Sequence, residues 1–316
     1  MNDPSIAIRG EGLTKKYGDF TAVDGLDLAV RTGEIFGFLG PNGAGKTTTI
    51  KMMTGMLRPT SGTSFVGPDE VRPNSNESKR LVGMCPQDVV VWEKLTCLEN
   101  VTLMGRMFEL PKGAALTRST ELLHRVGLSD KIKARASKLS GGMKKRLNLA
   151  MALVHDPDIL VLDEPITGLD PQSRLLVADF IRELCQEQGK TVILSTHLME
   201  VASKWSDRIA IIDHGKLQAL DTLENLKKTS GEGDVVEVSI AGEPEQALRI
   251  IQSVDGVDRA SMHEGRIRFQ ALDAVNKLPD ISRKMDEAGS RIEGLSLHTN
   301  SLEDIFISLT GRTLRD

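Results

Sequence analysis

The 316-residue sequence lacks the features that mark several large classes of protein. It has three cysteines and no C-x-x-C pair, so we expect no disulfide framework or zinc site, and a reducing compartment fits better. No apolar run approaches the ~18 residues that a membrane span needs, and the first ten residues lack the apolar segment of a signal peptide. The formal net charge is −4, whereas a dedicated nucleic-acid binder usually has a strong basic excess. We therefore expect no nucleic-acid partner and no membrane-spanning segment.

Residues 1–229 have the pattern of an α/β domain. Short apolar runs alternate with helix-like stretches, and these runs are Ile35–Leu39, Ile159–Leu162, Val192–Leu194 and Ile209–Ile212. Such runs are typical of a mostly parallel sheet that is buried on both faces. The polar segment Val66–Lys79, which contains two prolines, predicts a loop.

A second, smaller domain is predicted for residues 230–316. Lys227–Asp234 is polar and contains glycine, which indicates a linker. The pattern after it predicts an α+β module with strands Val235–Ile240, Arg266–Phe269 and Ile292–Leu297 and helices Pro244–Val254, Leu278–Ala288 and Ser301–Leu309. A turn at Glu264–Gly265 precedes the second strand, Ser301 is the expected N-cap of the last helix, and Gly311 lies just past its end. We expect this accessory domain to dimerise or to restrain the larger domain, and not to catalyse.

The segment G-P-N-G-A-G-K-T, Gly40 to Thr47, matches the phosphate-binding pattern G-x-x-x-x-G-K-[ST] in full. It follows an apolar run and opens a helix-like stretch, as that pattern requires. The glycines let backbone N–H groups turn inward around a polyphosphate, Lys46 can reach its phosphates, and the Thr47 hydroxyl can bind Mg²⁺. The nucleotide-binding residues expected here are Gly40, Pro41, Asn42, Gly43, Ala44, Gly45, Lys46, Thr47 and Thr48.

Polar side chains follow three other apolar segments. Asp163 and Glu164 end one of them, and successive strand side chains point to opposite sides, so one can hold Mg²⁺ while the other polarises a water. His197 ends another, and in parallel sheets ligands bind where the strands end. Gln87 follows a short apolar pair and can contact phosphate or Mg²⁺. We assign no role to His124, His155, His214, His263 and His298.

The segment L-S-G-G-M-K-K-R-L, Leu139 to Leu147, offers a second anion-binding arrangement. Ser140, Gly141 and Gly142 lead into a basic, helix-forming run, and backbone N–H groups at a helix start attract anions. We interpret the basic residues Lys144–Arg146 as a solvated helix face. Tyr17, the only tyrosine, either stacks on an adenine ring or packs in the core, and the sequence leaves both open.

Taken in order, these motifs resemble the ATP-binding subunit of an ABC transporter throughout Arg9 to Leu226. The phosphate-binding segment Gly40–Thr47 resembles the Walker A loop. The second anion-binding segment, at Leu139–Met143, resembles the family's signature. Ile159–Glu164 is similar to the Walker B strand, and Gly168–Asp170 to the D-loop. Tyr17, Gln87 and His197 then fall at the adenine-stacking, Q-loop and switch-histidine positions.

This resemblance implies a fold and a mechanism. The fold has a mostly parallel core sheet, an antiparallel N-terminal subdomain and a helical subdomain at about residues 88–150. Two chains would pair head to tail as a homodimer, or with a homologous ATPase, so that Ser140, Gly141 and Gly142 face ATP on the other chain. Glu164 would activate water and His197 would hold the γ-phosphate. The implied Mg²⁺ ligands are Thr47, Gln87 and Asp163, and Asp170 is a further implied nucleotide contact.

Three parts of the chain narrow the resemblance to bacterial and archaeal exporter ATPases of the daunorubicin-resistance, or multidrug, type: Val91–Val101, the small α+β domain, and Ser301–Arg312. This implies a separate transmembrane permease and a cytoplasmic location at the inner face of the membrane. One alternative is a soluble ABC ATPase that acts on a macromolecule, but such proteins usually have two cassettes or long coiled coils, and this sequence has neither. Another is an ATP-binding regulator without turnover, which is expected to lose Glu164 or His197; both are present.

Overall fold

The computed structural model describes residues 5–71, 80–229, 233–241, 243–263, 266–271, 274–298 and 301–310. The chain divides into two compact units, of which the first ends at Leu220 and the second begins at Asp221. This division lies ahead of the boundary between residues 229 and 230 that the sequence pattern predicts.

An antiparallel sheet forms the N-terminal part of the first unit. Within the described residues its strands run in the order β2 (Phe20–Arg31), β1 (Ile6–Tyr17), β4 (Ser61–Val66) and β5 (Asp69–Glu70). Strand β1 pairs antiparallel with β2 and with β4, and β4 pairs antiparallel with β5, which agrees with the antiparallel subdomain expected from the resemblance. The segment Val66–Lys79 is not wholly a loop because β5 lies within it, and residues 72–79 lie outside the described ones.

A mostly parallel sheet forms the centre of the first unit. In the part of the chain that the structure describes, its strands run in the order β10 (Lys216–Asp221), β9 (Arg208–Asp213), β3 (Ile35–Leu39), β8 (Thr191–Thr196), β7 (Ile159–Asp163) and β6 (Val82–Cys85). The pairs from β9 to β6 are all parallel. The four apolar runs singled out in the sequence form β3, β7, β8 and β9, so the predicted parallel sheet is confirmed.

Both faces of this central sheet are buried. Along β7, Leu160 and Leu162 belong to one apolar cluster, whereas Ile159 and Val161 belong to another. This alternation follows from the two-residue period of a strand and explains why the strand is apolar at every position before its carboxylate.

The helices of the first unit are, among the described residues, α1 (Lys46–Met53), α2 (Cys97–Met107), α3 (Lys112–Arg125), α4 (Gly141–Leu153), α5 (Pro171–Gln186) and α6 (Met199–Trp205). Helices α2, α3 and α4 contact one another as the helical subdomain. A capping box starts α2, because the Thr96 hydroxyl accepts from the Glu99 N–H and the Glu99 carboxylate accepts from the Thr96 N–H. None of the described helices combines the length and the hydropathy of a membrane span.

The second unit contains the β-α-β-β-α-β order of a ferredoxin-like module. Its elements, in the residues described, are β11 (Asp234–Ala241), α8 (Pro244–Gln252), β12 (Val257–His263), β13 (Arg266–Ala271), α9 (Ala274–Glu287) and β14 (Arg291–His298). The strands pair antiparallel in the order β12-β13-β11-β14, and α8 and α9 share an apolar core with β11 and β13. The sequence pattern did not reveal β12, because V-D-R-A-S-M-H is mostly polar and lacks a clear apolar alternation.

Two flanking helices, α7 (Leu223–Thr229) and α10 (Leu302–Thr310), contact each other within the second unit. The linker expected at Lys227–Asp234 is wrong at both ends, because its first residues lie in α7 and its last residue begins β11. A linker is recognised by polar composition, and the exposed end of a helix has the same composition.

Ser301 is confirmed as the N-cap of α10. Its hydroxyl accepts a hydrogen bond from the Asp304 N–H at 3.3 Å, and the Asp304 carboxylate accepts one from the Ser301 N–H at 2.9 Å. Gly311 and the turn at Glu264–Gly265 lie outside the described residues.

Candidate functional site

The ends of three parallel strands bring the predicted site residues to one edge of the central sheet. Leu39 at the end of β3 pairs with Thr196 at the end of β8, and Asp163 at the end of β7 pairs with Ser195. The segments that follow these strands therefore begin side by side. This edge is where ligands bind in open parallel sheets.

The loop from Gly40 to Thr47 has the backbone of a phosphate cradle. Gly43 and Gly45 have φ angles of 82° and 100°, which side chains with a β-carbon rarely adopt. A β-carbon at Gly45 would also lie 2.6 Å from the carbonyl oxygen of Ala22, so both the φ angle and the lack of space require glycine there. Helix α1 starts immediately afterwards, and the N–H groups of its first turn are available to an anion.

Lys46 lies in the cradle with only 7% of its surface exposed. Its Nζ donates hydrogen bonds to the carbonyl oxygens of Gly40 at 2.7 Å and Pro41 at 3.0 Å. Burial lowers the pKa of Lys46, while the nearby carboxylates of Glu164 and Asp163 act in the opposite direction. The carbonyl groups of the loop thus hold the ammonium group of Lys46 in place. A polyphosphate bound in the loop would offer it charged acceptors at the same position.

Thr47 and Asp163 form the group suited to a magnesium ion. The Thr47 hydroxyl donates to Asp163 Oδ2 at 2.9 Å, although the two residues are 116 positions apart. The Ser195 hydroxyl donates to the other carboxylate oxygen. Mg²⁺ takes oxygen ligands and in nucleotide sites usually keeps water and substrate phosphates beside one or two protein groups. The donor set therefore fits Mg²⁺.

Glu164 and His197 are in direct contact. His197 donates its backbone N–H to Glu164 Oε1 at 2.9 Å, and its Nδ1 lies 2.6 Å from the same oxygen. Thr167 donates to the other carboxylate oxygen at 3.1 Å. Glu164 is only 4% exposed and has a φ of 50°, so both its backbone and its carboxylate are held in a defined, uncommon position. Sequence reasoning missed Thr167 and Ser195, since a lone hydroxyl after a strand carries no distinctive signal.

The second anion-binding segment begins α4. Ser140 is the N-cap, and its hydroxyl accepts from the Met143 N–H at 3.3 Å. Space around Gly141 is open, since a β-carbon there would meet nothing within 4 Å. Among the described residues, no hydrogen bond links this segment to the loop Gly40–Thr47. The N–H groups at the start of α4 are therefore free to bind an anion that the Gly40–Thr47 loop of the same chain does not hold.

Asp170 is the N-cap of α5. Its carboxylate accepts from the Ser173 N–H at 2.9 Å and from the Ser173 hydroxyl at 2.7 Å. The bonds from Ser173 lower the pKa of Asp170. These bonds are local, so the described structure gives Asp170 a capping role within its own chain.

Gln87 and Tyr17 lie in exposed positions. Gln87 follows the end of β6, whose parallel register with β7 sets Cys85 beside Leu162. Tyr17 is 51% exposed at the end of β1 and faces Phe20 across a tight turn. The alternative of a packed core aromatic is therefore wrong for Tyr17.

The basic residues of α4 do not form the solvated face that we expected. All three are partly buried, and each contacts a different segment. Lys144 pairs with Glu93 at 2.6 Å, Lys145 donates to carbonyl oxygens of the segment after β7, and Arg146 donates to carbonyl oxygens after α3. The expectation failed because helix position alone does not tell which neighbours pack against it.

Known proteins share both units of the chain. A family model described as ABC transporter matches residues 23–167, and one described as the C-terminal domain of DrrA1-3-like ATP-binding proteins matches residues 222–310. The linearmycin resistance ATP-binding protein LnrL of Bacillus subtilis is 37% identical over 98% of this chain and 100% of its own. The daunorubicin resistance ATP-binding protein DrrA2 of Streptomyces coeruleorubidus is 39% identical over 96% of this chain and 95% of its own.

A solved structure agrees with the fold of the first unit. The dimeric post-hydrolysis state of the ATP-binding cassette MJ0796, bound to ADP and Pi, has a TM-score of 0.63 and 26% identity, and covers 68% of this chain and 98% of its own. The fold and the strand-edge site define an ATP-hydrolysing cassette. The chain belongs to the ABC transporter ATP-binding proteins and is similar over nearly its whole length to those of the daunorubicin-resistance type. The fold class and the ATPase activity expected from the sequence are confirmed.

Proposed function

We propose that this protein is the ATP-hydrolysing subunit of an exporter and drives a separate transmembrane permease from the cytoplasmic face of the cell membrane. The observation that carries the ATPase part is the contact of Glu164 with His197 beside the Thr47–Asp163 pair. The exporter part is supported by relatives named for resistance to linearmycin and daunorubicin, which match this chain almost end to end. The second unit, which resembles the C-terminal domain of the same group, is proposed to be an accessory or regulatory domain.

The chemistry we propose is hydrolysis of the terminal phosphoanhydride of ATP. Residues Gly40–Thr48 and Lys46 in particular would bind the phosphates, and Tyr17 would stack on the adenine ring. Glu164 would accept a proton from the attacking water while the water oxygen forms a bond to the γ-phosphorus. The bond between the γ-phosphorus and the bridging oxygen breaks, and ADP leaves. His197, which already donates a hydrogen bond to Glu164, would orient that carboxylate and contact the γ-phosphate.

Magnesium fits beside this arrangement. The residues that would hold it are Thr47, Asp163 and Gln87, of which the first two are already joined by a hydrogen bond. When bound, Mg²⁺ supplies positive charge that offsets the charge developing on the phosphate oxygens. Burial of Asp163 next to Ser195 keeps its carboxylate directed toward Thr47.

We further propose that two chains, or this chain and a homologous ATPase, pair head to tail. Ser140, Gly141 and Gly142 would then contact the nucleotide of the other chain, with Asp170 close by. The open space at Gly141 supports this arrangement, as does the dimeric state named for a structural relative. The second anion-binding segment then completes a site that one chain alone leaves open.

Mixing two inactive variants tests the head-to-tail pairing. Ser140→Arg blocks the helix start and Glu164→Gln removes the base, so each alone is expected to hydrolyse ATP very slowly. In a mixed dimer, one composite site has an intact Glu164 from one chain and an intact Ser140 from the other. An equal mixture, combined before ATP is added, is therefore expected to hydrolyse in a single turnover about a quarter of the ATP that the wild type hydrolyses. No recovery, with mixed dimers present by mass spectrometry, would reject the trans arrangement.

Co-purification tests the permease. The tagged full-length chain is extracted from the membranes of its own cell with a mild detergent, and its stoichiometric partners are identified by mass spectrometry. We expect a polytopic membrane protein. A ribosomal, nucleic-acid or other soluble partner would reject the exporter and support the alternative, a soluble ABC ATPase that acts on a macromolecule, while leaving the ATPase unchanged.

A further inference from the structure

Helix α4 is joined to three separate segments by three consecutive basic side chains. Lys144 pairs with Glu93, which is itself mostly exposed. The Arg146 guanidinium donates to the carbonyl oxygens of Val126 at 3.0 Å and Gly127 at 2.8 Å, at the turn after α3. Lys145, between them, reaches the segment that carries the proposed catalytic base. The three side chains differ in what they touch, although they are neighbours in sequence.

Lys145 bridges two backbone positions of that segment. Its Nζ donates to the carbonyl oxygen of Thr167 at 2.5 Å and to that of Glu164 at 3.4 Å. Its side chain lines a small cavity together with apolar residues that include Leu162 and Leu169. A long lysine stem packed on apolar surface with its ammonium group on backbone carbonyls has a defined position, unlike a solvated lysine.

The segment that Lys145 bridges fixes the position of the Glu164 carboxylate. Glu164 has a positive φ, its N–H donates to the Ser195 carbonyl oxygen at 3.0 Å, and its carboxylate accepts from His197 and Thr167. Lys145 adds the bonds to the carbonyl groups at both ends of the short loop between Glu164 and Thr167. Because a residue in this uncommon conformation persists only where its surroundings hold it, the loss of those bonds should let the carboxylate shift.

The same helix carries the segment proposed to meet the other chain's nucleotide. Ser140 is the N-cap of α4, and Lys145 lies five residues further along, near the start of the helix. A β-carbon at Gly142 would lie 3.3 Å from Leu169, so the helix start also packs closely on the segment that follows Thr167. A displacement of the helix start would therefore reach the loop of Glu164 through Lys145.

We propose that Lys145 is a positioning residue for ATP hydrolysis, which holds the Glu164–Thr167 loop and links the start of α4 to Glu164 of the same chain. Lys145 does not touch the reacting atoms. The inference rests on the proposed role of Glu164 as the base. In a head-to-tail dimer, contact of Ser140 with one nucleotide would thereby act on the base that serves the other nucleotide.

Steady-state and binding measurements on the full-length chain test this role. Lys145→Met keeps the length of the stem and removes the ammonium donor. We expect kcat to fall by about 10-fold to 100-fold, because small misplacements of a catalytic group have effects of that size. The Kd for ATP, measured in Glu164→Gln and in the double variant, should stay within about twofold.

Lys145→Arg, which can donate to both carbonyl oxygens, should recover a large part of the rate. The matched control is Lys144→Met, which removes the ion pair with the mostly exposed Glu93 from the same helix and should leave kcat within about twofold.

A double-mutant cycle separates positioning from a general structural effect. If Lys145 acts through Glu164, Lys145→Met should cause no further loss of rate in a Glu164→Gln background. Multiplicative losses would overturn the proposal, as would a Lys145→Met kcat within twofold of the wild type. A lower melting temperature with unchanged kcat per folded protein would mean a structural role only. If Lys145→Met does not fold, Lys145→Gln, whose shorter side chain replaces the ammonium group with a neutral amide, is measured in the same cycle. A near-normal rate for Glu164→Gln alone would instead reject the proposed base, whatever Lys145 does.

Discussion

Glu164→Gln is expected to slow ATP hydrolysis by roughly 10²–10⁴, the usual contribution of a general base. Glutamine keeps the shape of the side chain, and its amide oxygen can still accept from the His197 N–H, which now donates at 2.9 Å. What is lost is the carboxylate that would take the proton of the attacking water. ATP binding should be kept, since the loop Gly40–Thr47 is unchanged. Single-turnover hydrolysis and equilibrium ATP binding measure the two effects separately.

The same variant should accumulate as a dimer in the presence of ATP, because the nucleotide joins the chains and hydrolysis would otherwise release them. Size-exclusion chromatography with light scattering, with ATP in the buffer, measures this. Glu93→Gln is the matched control, since Glu93 is an exposed carboxylate paired with Lys144 and lies outside the strand-edge site. A rate for Glu164→Gln within tenfold of the control would show that another group activates the water.

Lys46→Met is expected to weaken ATP binding by about 100-fold or more. Hydrogen bonds to a charged group contribute about 1.5–3 kcal/mol each, and a loss of about 3 kcal/mol is a factor of about 150 in Kd. Methionine fills a similar volume, so the buried stem is replaced while the ammonium group and its donors are removed. Burial lowers the pKa of Lys46, but the opposing carboxylates of Asp163 and Glu164 favour its charged form. Isothermal titration calorimetry with ATP measures the change.

The control for this second variant lies on the same helix. Lys51→Met removes an exposed lysine from α1, and ATP should bind to it as tightly as to the wild type. Circular dichroism and thermal melting verify that Lys46→Met remains folded. If the folded Lys46→Met variant binds ATP with a Kd within threefold of the wild type, Lys46 does not hold the phosphates in the way proposed.

Much of the fold could be predicted because its signals are local. The apolar runs that became β3, β7, β8 and β9 are short and continuous, a pattern that a strand buried on both faces requires. The start of α10 was likewise predicted, with Ser301 as its N-cap. Strand β12 and helix α7 were missed, because polar composition is shared by edge strands, helix ends and linkers.

For the site, sequence determined the groups and the fold determined their partners. The glycines and lysine of Gly40–Thr47, the Asp163-Glu164 pair and the Ser140–Gly142 segment follow from residue types whose backbone or charge preferences are intrinsic. The contacts of Thr47 with Asp163, of Glu164 with His197, and of Lys145 with Thr167 join residues distant in sequence. Such contacts arise only when strands align in register and helices pack on them, and no local pattern encodes them. The sequence by itself therefore determined that this protein binds and hydrolyses a nucleotide, and only the tertiary structure decided which side chains hold the proposed base in place.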